Sequence, residues 1–232
     1  TPLIAGIFSI VWLRKHYTGL FKLPPMGEII NSYKEGWSIF VSSLAVNLYT
    51  ATNVVVLGML TNNIIVGYYS ATDKLITCVR RGIYAVSDAI YPFISKMMKD
   101  DIPKGLQFIK KQLFLYLIVG LVGCTSLFFF SDIIVKLLFG ADYNLTVDVL
   151  RILSFVPLAV AISTVFGEET MLPLNMNSAY SRTLVLAAFF SLLSIFPLCY
   201  LWGAKGVAMT MLLTEFLIMI IMGGLLKKQL FQ

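Results

Sequence analysis

Five ionisable residues stand close together in a stretch otherwise built from apolar and small side chains: Asp73, Lys74, Arg80, Arg81 and Asp88. On a helix, where successive residues turn by about 100°, all five fall within an arc of about 120°. Ser70, Thr77, Tyr84, Ser87, Tyr91 and Ser95 lie in or beside that arc, while Leu75, Val79, Ile83, Val86, Ile90 and Phe93 lie outside it. Such a helix must turn its polar stripe toward water, protein or a polar ligand. Two chemistries fit. The stripe can be an internal ladder, Asp73 with Arg80 or Thr77 and Asp88 with Arg80 or Arg81. Alternatively, three bases against two acids leave one positive charge for an anion, and the planar arginine fork suits phosphate or carboxylate oxygens. Lys74 lies nearer one helix end, where a lysine can instead snorkel to the interface.

Upstream, Ser43, Asn47 and Thr50 share one helical stripe flanked by Ser42 and Asn53. They are either interhelical contacts or hydroxyl-binding groups. Glu215 is the single acid in the apolar run 206–226; it either pairs with a neighbouring helix or titrates as an ion site. Glu168 and Glu169 close another apolar run, with Arg182 not far along the chain; a solvated helix end is favoured over a salt bridge or gate. No nucleophile, base and orienting group share a recognisable spacing, and no glycine-rich phosphate loop is present. One histidine, His16, and three widely spaced cysteines, Cys78, Cys124 and Cys199, provide no transition-metal cluster or disulfide framework. The expectation is no enzyme, no metal and no cofactor.

The elements that position these residues follow from composition. The chain has 232 residues, 58% of them hydrophobic and 13% charged, with a mean hydropathy of +0.85. A soluble domain carries about 25% charged residues, so this chain cannot clothe a globular surface in solvated groups. An ordinary soluble enzyme and a nucleic-acid-binding module are both excluded. The runs 112–131 and 183–204 carry no charge, and 206–226 carries only Glu215. Each is about 20 residues, enough at about 1.5 Å per residue to cross about 30 Å of hydrocarbon.

The uncharged stretch 36–72 is too long for one span, and Thr61-Asn62-Asn63 reads as the turn that splits it. Helices are therefore expected at 36–60 and 65–95, with another at 146–167 where Pro157 introduces a kink, as Pro92 and Pro197 do in theirs. The segment 131–139 reads as an interfacial extension. Residues 1–13 are apolar but too short to span and read as the end of a truncated helix, followed by a loop at 14–35. The expected fold is an all-α polytopic membrane protein with one partial and six full transmembrane helices, the lobe occupying 36–232.

The basic residues test this layout. Loops 14–35 and 96–111, Arg182 and the tail place twelve lysines and arginines on one side, against Lys136 and Lys205 on the other. By the positive-inside rule, loop 14–35 and the carboxyl terminus are cytoplasmic. The formal charge of +6 is thus a topology signal and not a sign of nucleic-acid binding.

Several segments also carry a resemblance. Residues 66–74, Val-Gly-Tyr-Tyr-Ser-Ala-Thr-Asp-Lys, resemble the "VGYYSAAEK" signature of bacterial polysaccharide transporters, and 43–58 resembles their seventh helix. The stretches 89–95, 137–143, 149–154 and 165–173 match in the same order. The sequence is similar to the O-antigen (Wzx-type) flippases of the multidrug/oligosaccharidyl-lipid/polysaccharide exporter superfamily. Glu169 departs from the pattern, since relatives often carry glutamine there.

The resemblance implies a twelve-helix protein of two lobes around a central cavity, of which this chain is the carboxyl-terminal lobe, the amino-terminal lobe being missing. It further implies a bacterial inner-membrane location and alternating-access translocation of undecaprenyl-diphosphate-linked oligosaccharide, with H⁺ or Na⁺ as a coupling ion. On that view Arg80, Arg81 and Lys74 meet the diphosphate, and Asn47, Thr50 and Asn53 face sugar hydroxyls. Asp73, Asp88 and Glu215 are the candidates for coupling or ion pairing. A small-molecule antiporter of the same superfamily, which would favour an acid-dominated cavity, and a membrane-embedded O-antigen polymerase are the alternatives.

Overall fold

A computed structural model describes residues 6, 8–9, 11–12, 25–140 and 144–230. The chain divides into two units, 1–37 and 38–232. Most of the partial span expected at 1–13, and the first part of the loop expected at 14–35, lie outside the described residues. In the first unit the described segment is helical from Met26 onward, inside the stretch expected as loop.

The described residues of the second unit are almost wholly helical, and the chain is an all-α, multi-pass membrane protein. The helices are α1 (Met26–Leu60), α2 (Asn63–Asp100), α3 (Ile102–Phe129), α4 (Ser131–Phe139), α5 (Asn144–Leu153) and α6 (Val156–Phe166). A π-helical turn, Gly167–Met171, follows, and then α7 (Asn177–Trp202) and α8 (Ala204–Leu230). Five candidate spans are long and apolar enough to cross a bilayer, against six full spans expected. The difference is α2: its 38 residues are long enough, but its charged stripe keeps it from qualifying on composition.

Local chemistry sets the boundaries. Asn62 caps α2 by accepting from the Ile65 amide at 3.0 Å, which satisfies one of the orphan donors of the first turn. Asp101 closes α2 and opens α3, accepting from the Lys104 amide at 3.1 Å; these bonds from Lys104 hold its carboxyl below the usual carboxylate range. The helix expected at 146–167 is broken into α5 and α6 just before Pro157, whose ring clashes with the preceding turn and supplies no N–H. Pro92 and Pro197, by contrast, lie within uninterrupted helices. Segment 131–139 is a separate short helix, α4, with Ile133, Leu137 and Leu138 exposed.

The stretch Leu145–Met171 is the centre of the unit, with 78% of its most apolar residues buried, whereas only 11% of those of α3 are. Side chains from α1, α2, α6 and α8 interlock around Tyr49, Ile94, Ile162, Phe166 and Met222. A second cluster joins Leu57, Tyr69, Ile76, Leu150, Val160 and Met211. The α7–α8 corner turns at Gly203, with φ of 55°, in the left-handed region that favours glycine. Three residues on, a Cβ at Gly206 would sit 1.8 Å from the Leu198 carbonyl oxygen, so only glycine lets these two helices approach so closely.

Candidate functional site

Helix α2 lies with Tyr69, Thr72, Ile76, Arg80, Ser87, Ile94 and Met98 buried at intervals of three, four or seven residues. Val79, Val86 and Phe93 are exposed on another face. The Arg80 and Ser87 edge of the polar stripe is therefore turned toward the other helices of the unit, while Lys74, Arg81 and Asp88 stay exposed. It forms one wall of a cavity of about 780 Å³. Ser43, Asn47 and Thr50 of α1 line a second wall, Glu168 of the π turn and Tyr180 of α7 a third, and Glu215, Ile218 and Met222 of α8 a fourth.

The charges within the cavity are not equivalent. Arg80 is 8% exposed and Glu215 is 3% exposed. Arg80 Nη2 donates to Glu215 Oε1 at 3.2 Å, and the Tyr49 hydroxyl donates to the same oxygen at 3.0 Å. Three helices, α1, α2 and α8, thus meet at one carboxylate oxygen. Tyr84, one turn along α2, lies within electrostatic reach of the pair. Arg81 lines the same cavity, is exposed, and makes no hydrogen bond or ion pair with any described residue. The two adjacent arginines therefore differ: one is committed to a protein carboxylate and the other is available.

The cavity gathers Asn47, Thr50, Arg80, Arg81, Asp88 and Glu215 among the residues singled out in the sequence. Asp73, Lys74 and Asn53 are outside its lining. Lys74 is exposed, Asp73 half-buried near Arg80, and Asn53 2% exposed beside Tyr69. The internal ladder does not form: Arg80 reaches across to α8, and neither Asp73 nor Asp88 makes an ion pair with a described residue.

On α1, Asn47 Nδ2 donates to the Ser43 carbonyl at 2.9 Å and the Thr50 hydroxyl to the Val46 carbonyl at 2.8 Å. These bonds back to the helix fix both side chains and leave their acceptor oxygens available.

Tyr84 and Tyr91, placed on the polar stripe by their spacing, line the cavity, and so do Tyr49 and Tyr180, which the sequence alone missed. Glu168 joins Asp88 and Glu215, so the lining holds two arginines against three carboxyl groups, and the basic excess of the α2 stripe does not carry over to the cavity. The solvated helix end expected for Glu168 and Glu169 is also corrected. Glu168 is only half-buried, but Glu169 is 0% exposed, because the π turn carries the backbone on into the packed interior.

Comparison with known proteins adds an independent finding. Residues 2–98 match the model of a family described as "Polysaccharide biosynthesis protein". A protein of Escherichia coli (strain K12) named "Putative O-antigen transporter" is 31% identical over 217 residues, covering 93% of this chain and 52% of that protein. A Shigella dysenteriae protein of the same name is 29% identical over 219 residues, covering 94% of this chain and 54% of that protein. The chain spans about half the length of the curated relatives it matches, and no solved structure matches it. The matched 2–98 stretch includes Asn47, Thr50 and the whole charged stripe of α2, which form two of the cavity walls.

Proposed function

We propose that this chain is the carboxyl-terminal lobe of a flippase that moves undecaprenyl-diphosphate-linked O-antigen or polysaccharide repeat units across the bacterial inner membrane by alternating access. The observation that carries the reading is the available Arg81 at the edge of a cavity walled by hydroxyls, amides and tyrosines. A diphosphate and a sugar cannot cross about 30 Å of hydrocarbon without polar groups to replace water. Arg81 offers a planar, permanently charged fork to phosphate oxygens. Asn47, Thr50 and the tyrosines offer hydrogen-bonding groups to sugar hydroxyls, and the tyrosine rings offer apolar faces. The lipid chain stays in the bilayer while the head group passes. Relatives named for O-antigen transport support this reading.

Arg80 then acts chiefly on the protein. Its charge is already compensated by Glu215, so it shapes the cavity wall, and it reaches substrate only by exchanging that partner.

The carboxyl groups favour a second reading. Asp88 and Glu168 in an open polar cavity suit an organic cation, as in a small-molecule antiporter of the same superfamily. One experiment separates the two. The full-length gene is expressed in a bacterium lacking its own transporter for the same repeat unit, and surface O-antigen is scored alongside resistance to cationic dyes. Restored O-antigen with unchanged dye resistance supports the flippase; the reverse pattern supports the antiporter.

A further inference from the structure

The cavity is electrically uneven along α2. Arg80 and Glu215 compensate each other, so the charges left in the lining are Arg81, Asp88 and Glu168. Arg81 and Asp88 share one face of α2, two turns and so about 10 Å apart along its axis. Glu168 on the π turn comes within electrostatic reach of Asp88, and neither acid makes an ion pair with a described residue. One end of the cavity therefore offers N–H donors, and the other offers carboxylate acceptors.

Two further features mark the acidic end. Thr164 of α6, one turn before Glu168, lines the cavity and is 4% exposed, and its hydroxyl makes no hydrogen bond with a described residue. A hydroxyl so enclosed is unfavourable unless an occupant of the cavity supplies its partner. Tyr180 of α7 stands within reach of Glu168, with its ring laid against Gly167, where a Cβ would come 2.6 Å from the ring's Cε2. Glycine at 167 thus admits an aromatic face beside the two acids. Tyr91, about one turn beyond Asp88 on α2, adds another.

We propose that Asp88, Glu168 and Thr164 form a sugar subsite that accepts uncharged, hydroxyl-rich sugars and rejects sugars bearing a carboxylate. The inference rests on the flippase reading: a diphosphate held by Arg81 leaves its saccharide to extend toward the acidic end. An ionised carboxylate only accepts hydrogen bonds, and it binds hydroxyl donors through short, charge-assisted ones. A neutral sugar supplies those donors and lays its C–H face on the tyrosine rings. A uronic acid instead sets acceptor against acceptor and adds a like charge in a poorly solvated space, which is how a site discriminates by repulsion.

The test expresses the full-length gene in two transporter-deficient strains, one building a neutral repeat unit and the other a repeat unit that contains a uronic acid. Surface polysaccharide is scored relative to each strain's own transporter, with inserted protein measured alongside. Wild type is expected to export the neutral unit at least about tenfold better than the acidic one. Asp88→Asn combined with Glu168→Gln should bring the two within about threefold, chiefly by gaining the acidic unit. Asp88→Asn alone, at an exposed side chain, should narrow the gap in the same direction, so the test survives a double variant that does not insert. Equal export of both units by wild type overturns the proposal, as does undiminished discrimination in the inserted variants; both outcomes leave the flippase reading standing. Export of neither unit by wild type overturns that reading and the proposal with it.

Discussion

Glu215 and Glu169 are buried to a similar degree, and each comes from a helical element at the heart of the same unit. Around Glu215, an arginine and a tyrosine from two other helices converge on one oxygen. Around Glu169, no basic group among the described residues forms an ion pair, and the groups within reach are Ser87, Gln112 and the neighbouring acid Glu168. The difference shows two ways in which a membrane lobe can carry an internal acid. A permanent ion pair fixes helices against one another, whereas an acid met only by hydroxyl and amide groups supplies no such brace.

The largest effect expected from this comparison comes from breaking the pair. Arg80→Ala leaves Glu215 charged and buried without its counter-ion, and should cost about 3–5 kcal/mol. Unfolding of the purified protein in detergent measures it, and adding Glu215→Gln to Arg80→Ala should recover much of the loss. Tyr49→Phe removes one hydrogen bond to the same carboxylate and should cost about 1.5–3 kcal/mol by the same assay. At Glu169 the comparison predicts the opposite: Glu169→Gln breaks no ion pair and should change stability by less than about 1 kcal/mol near neutral pH. A loss there as large as that of Arg80→Ala would erase the distinction between the two sites. The smallest effect belongs to the exposed α4 pair, where Lys136 Nζ lies 2.7 Å from Asp132. Lys136→Ala should cost less than about 1 kcal/mol, because solvent screens such pairs.

Much of the fold was legible because charge-free runs of bilayer length leave few arrangements open, and the runs ending near residues 60, 130, 202 and 227 recur as helices. The stripe on α2 was legible for the same reason: angular position on a helix follows from spacing alone. Partner choice did not follow. Spacing places Arg80 on a face but does not say that α8 packs there, so a ladder within α2 and a bond to Glu215 were equally open until the helices were assembled. Tyr49 and Tyr180 were passed over because isolated aromatics in apolar runs read as core, and Tyr49 is indeed 2% exposed, yet its hydroxyl is what meets the carboxylate. Glu168 and Glu169 were misread because adjacent acids after an apolar run resemble a solvated terminus. A π turn, which sequence periodicity does not announce, directs one to the cavity and the other to the interior.

The central claim is that two neighbouring arginines have divided their work, Arg80 bracing the lobe and Arg81 meeting the diphosphate. The most direct measurement is surface O-antigen in a transporter-deficient strain carrying the full-length gene with Arg81→Gln, Arg81→Lys or wild-type sequence, with the amount of membrane-inserted protein determined for each. The account predicts normal insertion throughout, O-antigen reduced at least about tenfold by Arg81→Gln, and partial retention with Arg81→Lys, which keeps the charge but loses the fork. Wild-type O-antigen from a normally inserted Arg81→Gln protein would contradict it.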